Sequence, residues 1–278
     1  MKFGKKLAVA LAVAAMGLAI VGCGGEQKKA EAPKAEKGKW VVAINATFPP
    51  FESIDKKDAK KFVGVDIDIA NYLANKMNKT VEFQDMKFAS LVPTLQAGRA
   101  NIIISGISPT KKRQEVIDFS KPYYFPQNAL ICKKGANFNS LDSLAGKKAG
   151  ASLGTTYAKV LASTKKIEVV ELNNTPLVIQ DILAGRLEAG LFDAAQAVEF
   201  IKQNEGKLEM HTIKSEVGMD DVFAIGVKKG DKDLPEINKH LAEMRKNGEL
   251  HKILAKHLGE EATKQYEATA YQLEIAKQ

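Results

Sequence analysis

The sequence predicts an α/β protein made of two similar lobes. Strand-length apolar runs alternate with helix-length amphipathic runs, and the order β-α-β-α-β occurs twice. The tripeptide Ala-Gly-Arg recurs at matching places, 97–99 and 184–186. At 278 residues, 45% hydrophobic and 27% charged, the balance is that of a globular chain with enough core to fold without disulfides.

The first forty residues read as address and tether. Lys2, Lys5 and Lys6 precede an unbroken apolar or small run from Leu7 to Val21. That run is shorter than the roughly 20 residues a membrane-spanning helix needs, so 1–22 reads as a secretory signal. It ends Ile20-Val21-Gly22-Cys23, which resembles the lipobox of bacterial lipoproteins; the resemblance implies cleavage before Cys23 and lipidation of its thiol. A plain secretory signal with an incidental cysteine is the alternative. Residues 23–39 have no large apolar side chain and are expected to be a flexible linker.

The formal charge of +8 sits largely in this leader. From Trp40 onward there are 33 basic and 30 acidic residues, a net of +3 with no dense basic cluster, and nucleic-acid binding loses its support.

The first unit runs as strand Trp40–Asn45, a loop at Thr47–Asp58, helix Val65–Lys79, strand Thr80–Gln84, helix Phe88–Ala97 ended by Gly98, and strand Asn101–Ser105. The second has strands at Lys147–Ser152, Ile167–Leu172 and Glu188–Phe192, with helices at Thr155–Thr164 and Thr175–Ala184. The Ala-Gly-Arg offset sets Ser105 opposite Phe192 and Gly106 opposite Asp193, just past the third strand of each unit. Ligands of open α/β sheets bind beyond the carboxyl ends of strands, so two facing lobes would share one cleft. Coincidence remains the alternative for a three-letter echo.

A further strand, Val222–Val227, and two helical stretches within Asp233–Leu258 are too short to stand alone. They are expected to complete the first lobe. That makes lobe I 40–126 plus 222–259 and lobe II 127–221, with a two-crossing hinge near Phe125–Asn128 and before Val222. Residues 260–278 are helix-prone and have no assigned role.

Several stretches together resemble the extracellular solute-binding proteins of family 3, the polar amino-acid binders of ABC transporters. They are Asn45–Glu52, Gly64–Ile69, Phe88–Gly98, Ser105–Ser120, Leu153–Thr156 and Asp193. The resemblance spans about Trp40 to Gly259 and implies a type II periplasmic-binding-protein-like fold, each lobe a mixed, mostly parallel sheet flanked by helices. By that resemblance Arg113 binds the ligand carboxylate with backbone N–H groups of Ser108 and Thr156, and Asp193 binds the ammonium with the Gly106 carbonyl and the Ser108 hydroxyl. Arginine's planar fork suits a carboxylate, and a helix opening at Thr155 and Thr156 favours an anion.

Asn45, Phe48 and Phe88 match positions around the ligand side chain, and Ser105 lies beside them. The plainer alternatives are a solvated Arg113, a helix-capping Asp193 and a core-packing Phe48. Asn45 stands where several binders of basic amino acids carry Asp, which leaves glutamine open beside arginine, lysine and histidine. Glu52 or Asp85 would supply a negative charge if either faced the cleft.

The family implies a monomer that hands a polar or basic L-amino acid to an ABC permease. It would be anchored outside the cytoplasm by its lipid. A ligand-presenting sensory module and a cyclohexadienyl-dehydratase-like enzyme, with Glu52 as its acid, are the rivals. No cofactor or metal is expected. Cys132 reads as a core residue, and His240, His251 and His257 as surface residues without metal-ligand spacing.

Overall fold

A computed structural model describes residues 38–213 and 222–275, with side chains to residue 268. The signal, Cys23 with its lipidation, the linker up to residue 37 and the second hinge crossing just before Val222 lie outside these residues.

Strand β1 (Gly38–Ile44) begins two residues earlier than expected, because Gly38 and Lys39 pair with Lys79 and Thr80. The span 47–58 is not simply a loop. It carries β2 (Thr47–Phe48) and β3 (Glu52–Ile54), which join β4 (Phe62–Val63) in a small antiparallel sheet. Strands of two or three residues are too short to leave a periodic signal. Helix α1 (Val65–Lys76) stops three residues short of the predicted Lys79, since Asn78 turns left-handed at φ 50° and Lys79 opens β5 (Lys79–Asp85). The helix expected at Phe88–Ala97 splits into a 3-10 turn at Phe88–Ser90 and α2 (Leu91–Gln96). Then come β6 (Ile102–Ile103), α3 (Lys111–Gln114) and β7 (Ile117–Phe119).

The second half holds β8 (Asn128–Lys133), β9 (Lys148–Ser152), α4 (Thr156–Ser163), β10 (Glu168–Leu172) and α5 (Thr175–Ala184). It ends with β11 (Ala189–Asp193), α6 (Ala194–Gln203) and β12 (Leu208–Ile213). The chain then returns as β13 (Gly226–Lys228), α7 (Leu234–Lys246), α8 (Glu249–Leu258) and α9 (Glu260–Ile275).

Two five-stranded mixed sheets result, ordered β5-β1-β6-β13-β7 and β10-β9-β11-β8-β12. In each the first three strands are parallel and the last two join antiparallel. The parallel triplets have the same sequential order, second-first-third. The Ala-Gly-Arg echo has a structural cause. Gly98 and Gly185 both take φ +74° at a helix end. Arg99 N–H then bonds the Thr94 carbonyl at 3.1 Å and Arg186 N–H the Asp181 carbonyl at 2.9 Å. The same left-handed helix stop feeds the third strand of both units.

Alternate residues of each strand enter opposite core layers, as a period of two requires. Val42 and Ile44 pack in one cluster with α1, α7 and α8, while Ala43 packs with Leu91 and Leu95 of α2. In the second sheet Ala129 and Ile131 face α5 and α6, and Leu130 and Cys132 face α4. Burying each such Leu or Ile stabilises by about 1.5–3 kcal/mol. Cys132 is thus a fully buried core residue.

One surface expectation is corrected. His240 is buried, because it lies on the inner stripe of α7 with Ile237, Leu241 and Met244, its Nδ1 2.8 Å from Glu243. His257 is also largely covered, its Nε2 2.7 Å from Asp68, whereas His251 sits between Glu260 and Glu267 at the surface. Helix α9 packs on α8. Its Tyr266 ring stacks on Tyr124 at 4.5 Å and 11°. Tyr124 also pairs with Phe223, where the chain leaves and re-enters the first half.

Candidate ligand-binding cleft

One cavity lies between the carboxyl ends of the two sheets, with about 490 Å³ of non-atom space counting the part open to solvent. Nine of the ten residues singled out from the sequence line it: Asn45, Phe48, Phe88, Ser105, Gly106, Ser108, Arg113, Thr155 and Thr156. The tenth, Asp193, is fully buried beside it, between the lining residues Phe192 and Gln196.

The floor is built where β1 and β6 end. Ser105 Oγ accepts from Asn45 N–H at 3.0 Å and donates to Glu52 Oε1 at 2.5 Å. Gly106 takes φ +50°, and a Cβ there would meet Phe48 Cε1 at 2.4 Å. Its N–H donates to Asp66 Oδ2 at 2.8 Å, and the Tyr123 hydroxyl donates to the same oxygen at 2.9 Å. Burial, then the charge of Asp66, pushes the Glu52 carboxyl well above the usual carboxylate range. Burial pushes Asp66 up to about 6. Glu52 therefore faces the cleft, while Asp85 turns aside to accept from Ala46 N–H at 2.8 Å.

Arg113 is placed by α3, whose first turn is capped by Thr110. Its Nη1 donates to the Ser108 carbonyl at 2.7 Å and its Nη2 to the Gly154 carbonyl at 2.9 Å, while the guanidinium lies 5.2 Å from the Phe88 ring. Burial lowers it to about 10, and it has no carboxylate partner among the described residues. Arg113 is not a solvated surface residue.

From the second sheet, Thr155 caps α4, its Oγ1 donating to the Ser152 carbonyl at 2.7 Å and accepting from Ala158 N–H at 3.3 Å. Asp193 caps α6 through Oδ1, 3.0 Å from Gln196 N–H. Its Oδ2 is buried with no donor, and burial raises the carboxyl to about 7 against the N–H groups that lower it. Capping and an unsatisfied oxygen coexist in one side chain. Gln196 Nε2 crosses to the Thr47 carbonyl at 3.3 Å.

Among the aromatics, Phe48 stacks on Phe51 at 5.0 Å and meets Phe223 edge-on, so it packs on the core and lines the cavity at once. Asn45 spends polar atoms locally, Nδ2 on the Met86 carbonyl at 2.7 Å and Oδ1 on the Thr47 hydroxyl at 2.8 Å.

Residues 40–260 match the bacterial extracellular solute-binding proteins, family 3. The chain belongs to that family. A probable histidine-binding protein of Neisseria gonorrhoeae is 34% identical over 269 residues, covering 91% of this chain and 96% of that one. The solved structure of an ancestral arginine-binding protein bound to arginine has a TM-score of 0.75 and 35% identity, covering 81% of this chain and all of that one. Another, an ancestral arginine-binding protein bound to glutamine, has a TM-score of 0.73 and 36% identity, covering 80% and 99%. The fold of this family 3 chain is the two-lobed type II periplasmic-binding-protein fold. The relatives are named for binding, not for catalysis.

The sequence reading passed over several lining residues of this family 3 cleft. Ser152 and Leu191 lie on strands, and Tyr157, Thr175 and Gln196 on helices, each with a spacing that reads equally as core. It also missed a mixed-donor cluster. Cys132, Glu209 and His211 sit together on β8 and β12, their ligand atoms within 4.8 Å of one another. Glu209 accepts there from Gly135 and Asn137 N–H at 2.9 and 2.8 Å, which pins the turn after β8.

Proposed function

We propose that this chain captures a polar or basic L-amino acid in the cleft and delivers it to an ABC permease. The observation that carries the reading is a guanidinium without an anion and a buried carboxyl with an unpaired oxygen at one cavity. Arg113 has no anion partner among the described residues, and Asp193 keeps a donorless oxygen. A free amino acid is a zwitterion whose carboxylate and ammonium answer those two groups. The α4 N-terminus at Thr156 adds N–H groups on the carboxylate side.

Arginine, lysine, histidine or glutamine is the ligand. The relatives' printed names, histidine and arginine binders and one protein bound to glutamine, support that set. Two lobes, 40–126 plus 222–259 and 127–221, close about a hinge near Phe125–Asn128 and before Val222, and the ligand stabilises the closed form. The protein acts as a monomer outside the cytoplasm, held to the membrane by lipid on Cys23. No helix among the described residues is long and apolar enough to cross a membrane.

Calorimetry against the twenty amino acids tests the reading. At least one of the four named ligands is expected to bind with a micromolar or lower dissociation constant, and no binding tighter than about 100 μM sinks the proposal.

A further inference from the structure

Two buried oxygens in the cleft floor have no donor: Glu52 Oε2 and Asp66 Oδ1. Both side chains are completely buried. The other oxygen of each is satisfied, Glu52 Oε1 by Ser105 and Asp66 Oδ2 by Gly106 N–H and the Tyr123 hydroxyl. The two side chains are neighbours: Asp66 N–H bonds the Phe51 carbonyl at 2.9 Å, and the adjacent residues Ser105 and Gly106 each hold one carboxyl oxygen of the pair. Two ionised carboxylates can only accept, so neither orphan could serve the other. A single proton between them gives each a partner and removes the repulsion of like charges in a dry site.

Nothing else nearby does that work. Neither residue has a lysine or arginine ion pair among the described residues. Asp85, at the end of β5, acts on Glu52 only through its charge, in the raising direction, and the Tyr123 hydroxyl donates to Asp66. His257, on α8, also acts on Asp66, in the lowering direction. Glu52 is also the member of the pair that lines the cavity.

We propose that Glu52 and Asp66 share one proton in the empty cleft and release it when a cationic side chain reaches Glu52, so that this pair decides between cationic and amide ligands. The inference rests on reading the cleft as an amino-acid site. With the proton held between the two carboxyl groups, Glu52 carries no full charge and accepts from the N–H2 of a glutamine amide. On release the O–H bond breaks, its electron pair stays on the carboxylate, and the proton passes to the buffer. The carboxylate then forms charge-assisted bonds to a guanidinium or ammonium. Asp193 releases its own proton to the buffer when the α-ammonium of any amino acid binds, so its share cancels between ligands.

The test is calorimetry of arginine and of glutamine near pH 6, in buffers of small and large ionisation heat. Arginine is expected to release more protons than glutamine, by up to one per site, and the affinity ratio of arginine to glutamine to rise with pH. The rise is at most tenfold per pH unit, because the arginine complex carries one proton fewer. Glu52→Gln is expected to remove the extra proton and lower that ratio about thirtyfold.

Equal proton release by the two ligands overturns the proposal. So does a Glu52→Gln variant that weakens both equally, which is what a purely structural role predicts. An independent readout needs no ligand. An infrared C=O stretch of a protonated buried carboxyl, beyond the one that remains in Asp193→Asn, is expected in the free protein and is lost in Glu52→Gln. Its absence from the wild type overturns the shared proton even where amino acids bind. Its presence alongside failure of every amino acid to bind overturns the reading of the cleft and, with it, the discriminating role of the pair.

Discussion

Arg113 bonds the carbonyl of Gly154 at 2.9 Å, joining the first half of the molecule to the second. Gln196 makes the reciprocal crossing to the Thr47 carbonyl at 3.3 Å. The guanidinium assigned to the ligand carboxylate thus also ties the two halves together. A carboxylate is a stronger acceptor than the neutral carbonyls it would join.

Replacing Arg113 by Lys keeps the charge and loses the planar fork. Amino-acid affinity is expected to fall by about 2–5 kcal/mol, the cost of breaking a buried charged contact. Calorimetry checks this, and affinity retained within about threefold refutes the role of the fork.

Gly106→Ala meets two obstacles, a left-handed backbone at φ +50° and Phe48 Cε1 only 2.4 Å from the new Cβ. A loss of about 1–3 kcal/mol in stability is expected, read as a lower urea midpoint at unchanged slope. Affinity falls with it, because the Gly106 carbonyl and Phe48 both move.

Asp193 is raised to about 7 from an ordinary 3.8. The folded, ligand-free protein therefore holds its proton more tightly than the unfolded chain. Stability from this group is full below the unfolded value and declines as pH rises from about 4 through about 7. Asp193→Asn keeps the helix cap and removes that decline. The variant is expected to be more stable than the parent at pH 8 by about 1 kcal/mol or more, yet unable to bind amino acids. A variant less stable than the parent at pH 8 contradicts the assignment.

Tyr266→Ala removes the ring stacked on Tyr124 and the hydroxyl bonded to the Tyr123 carbonyl. A destabilisation of about 1–2 kcal/mol is expected in urea unfolding. An unchanged midpoint would mean that α9 contributes nothing to the first half.

Much of the fold was legible in the chain. Most of the longer strands and helices left periodic signals, though α6 and β12 were not read from the chain, and Ala-Gly-Arg marked the repeated helix stop at Gly98 and Gly185. The short strands β2, β3, β4 and β7 were missed, since pieces of two or three residues carry no measurable period, while β6 falls inside the expected strand Asn101–Ser105. His240 was misread because one polar residue on an apolar stripe looks the same whether it is covered or not. In the site, nine of the ten chosen residues line the cavity. Glu52 and Asp66 were not paired, because fourteen positions and a change of element separate them.

By itself the sequence determined the doubled β-α-β-α-β order and the placing of Gly106 and Asp193 at the ends of matching strands. Local periodicity and helix-stop chemistry are written residue by residue. Only the tertiary structure decided which charges lie unpaired, that Arg113 spans the two halves, and that two carboxyl groups face each other beneath the cleft. Those properties depend on burial and on distances between residues far apart in the chain. An ionisable group's charge is set by the solvent and the neighbours that folding leaves around it.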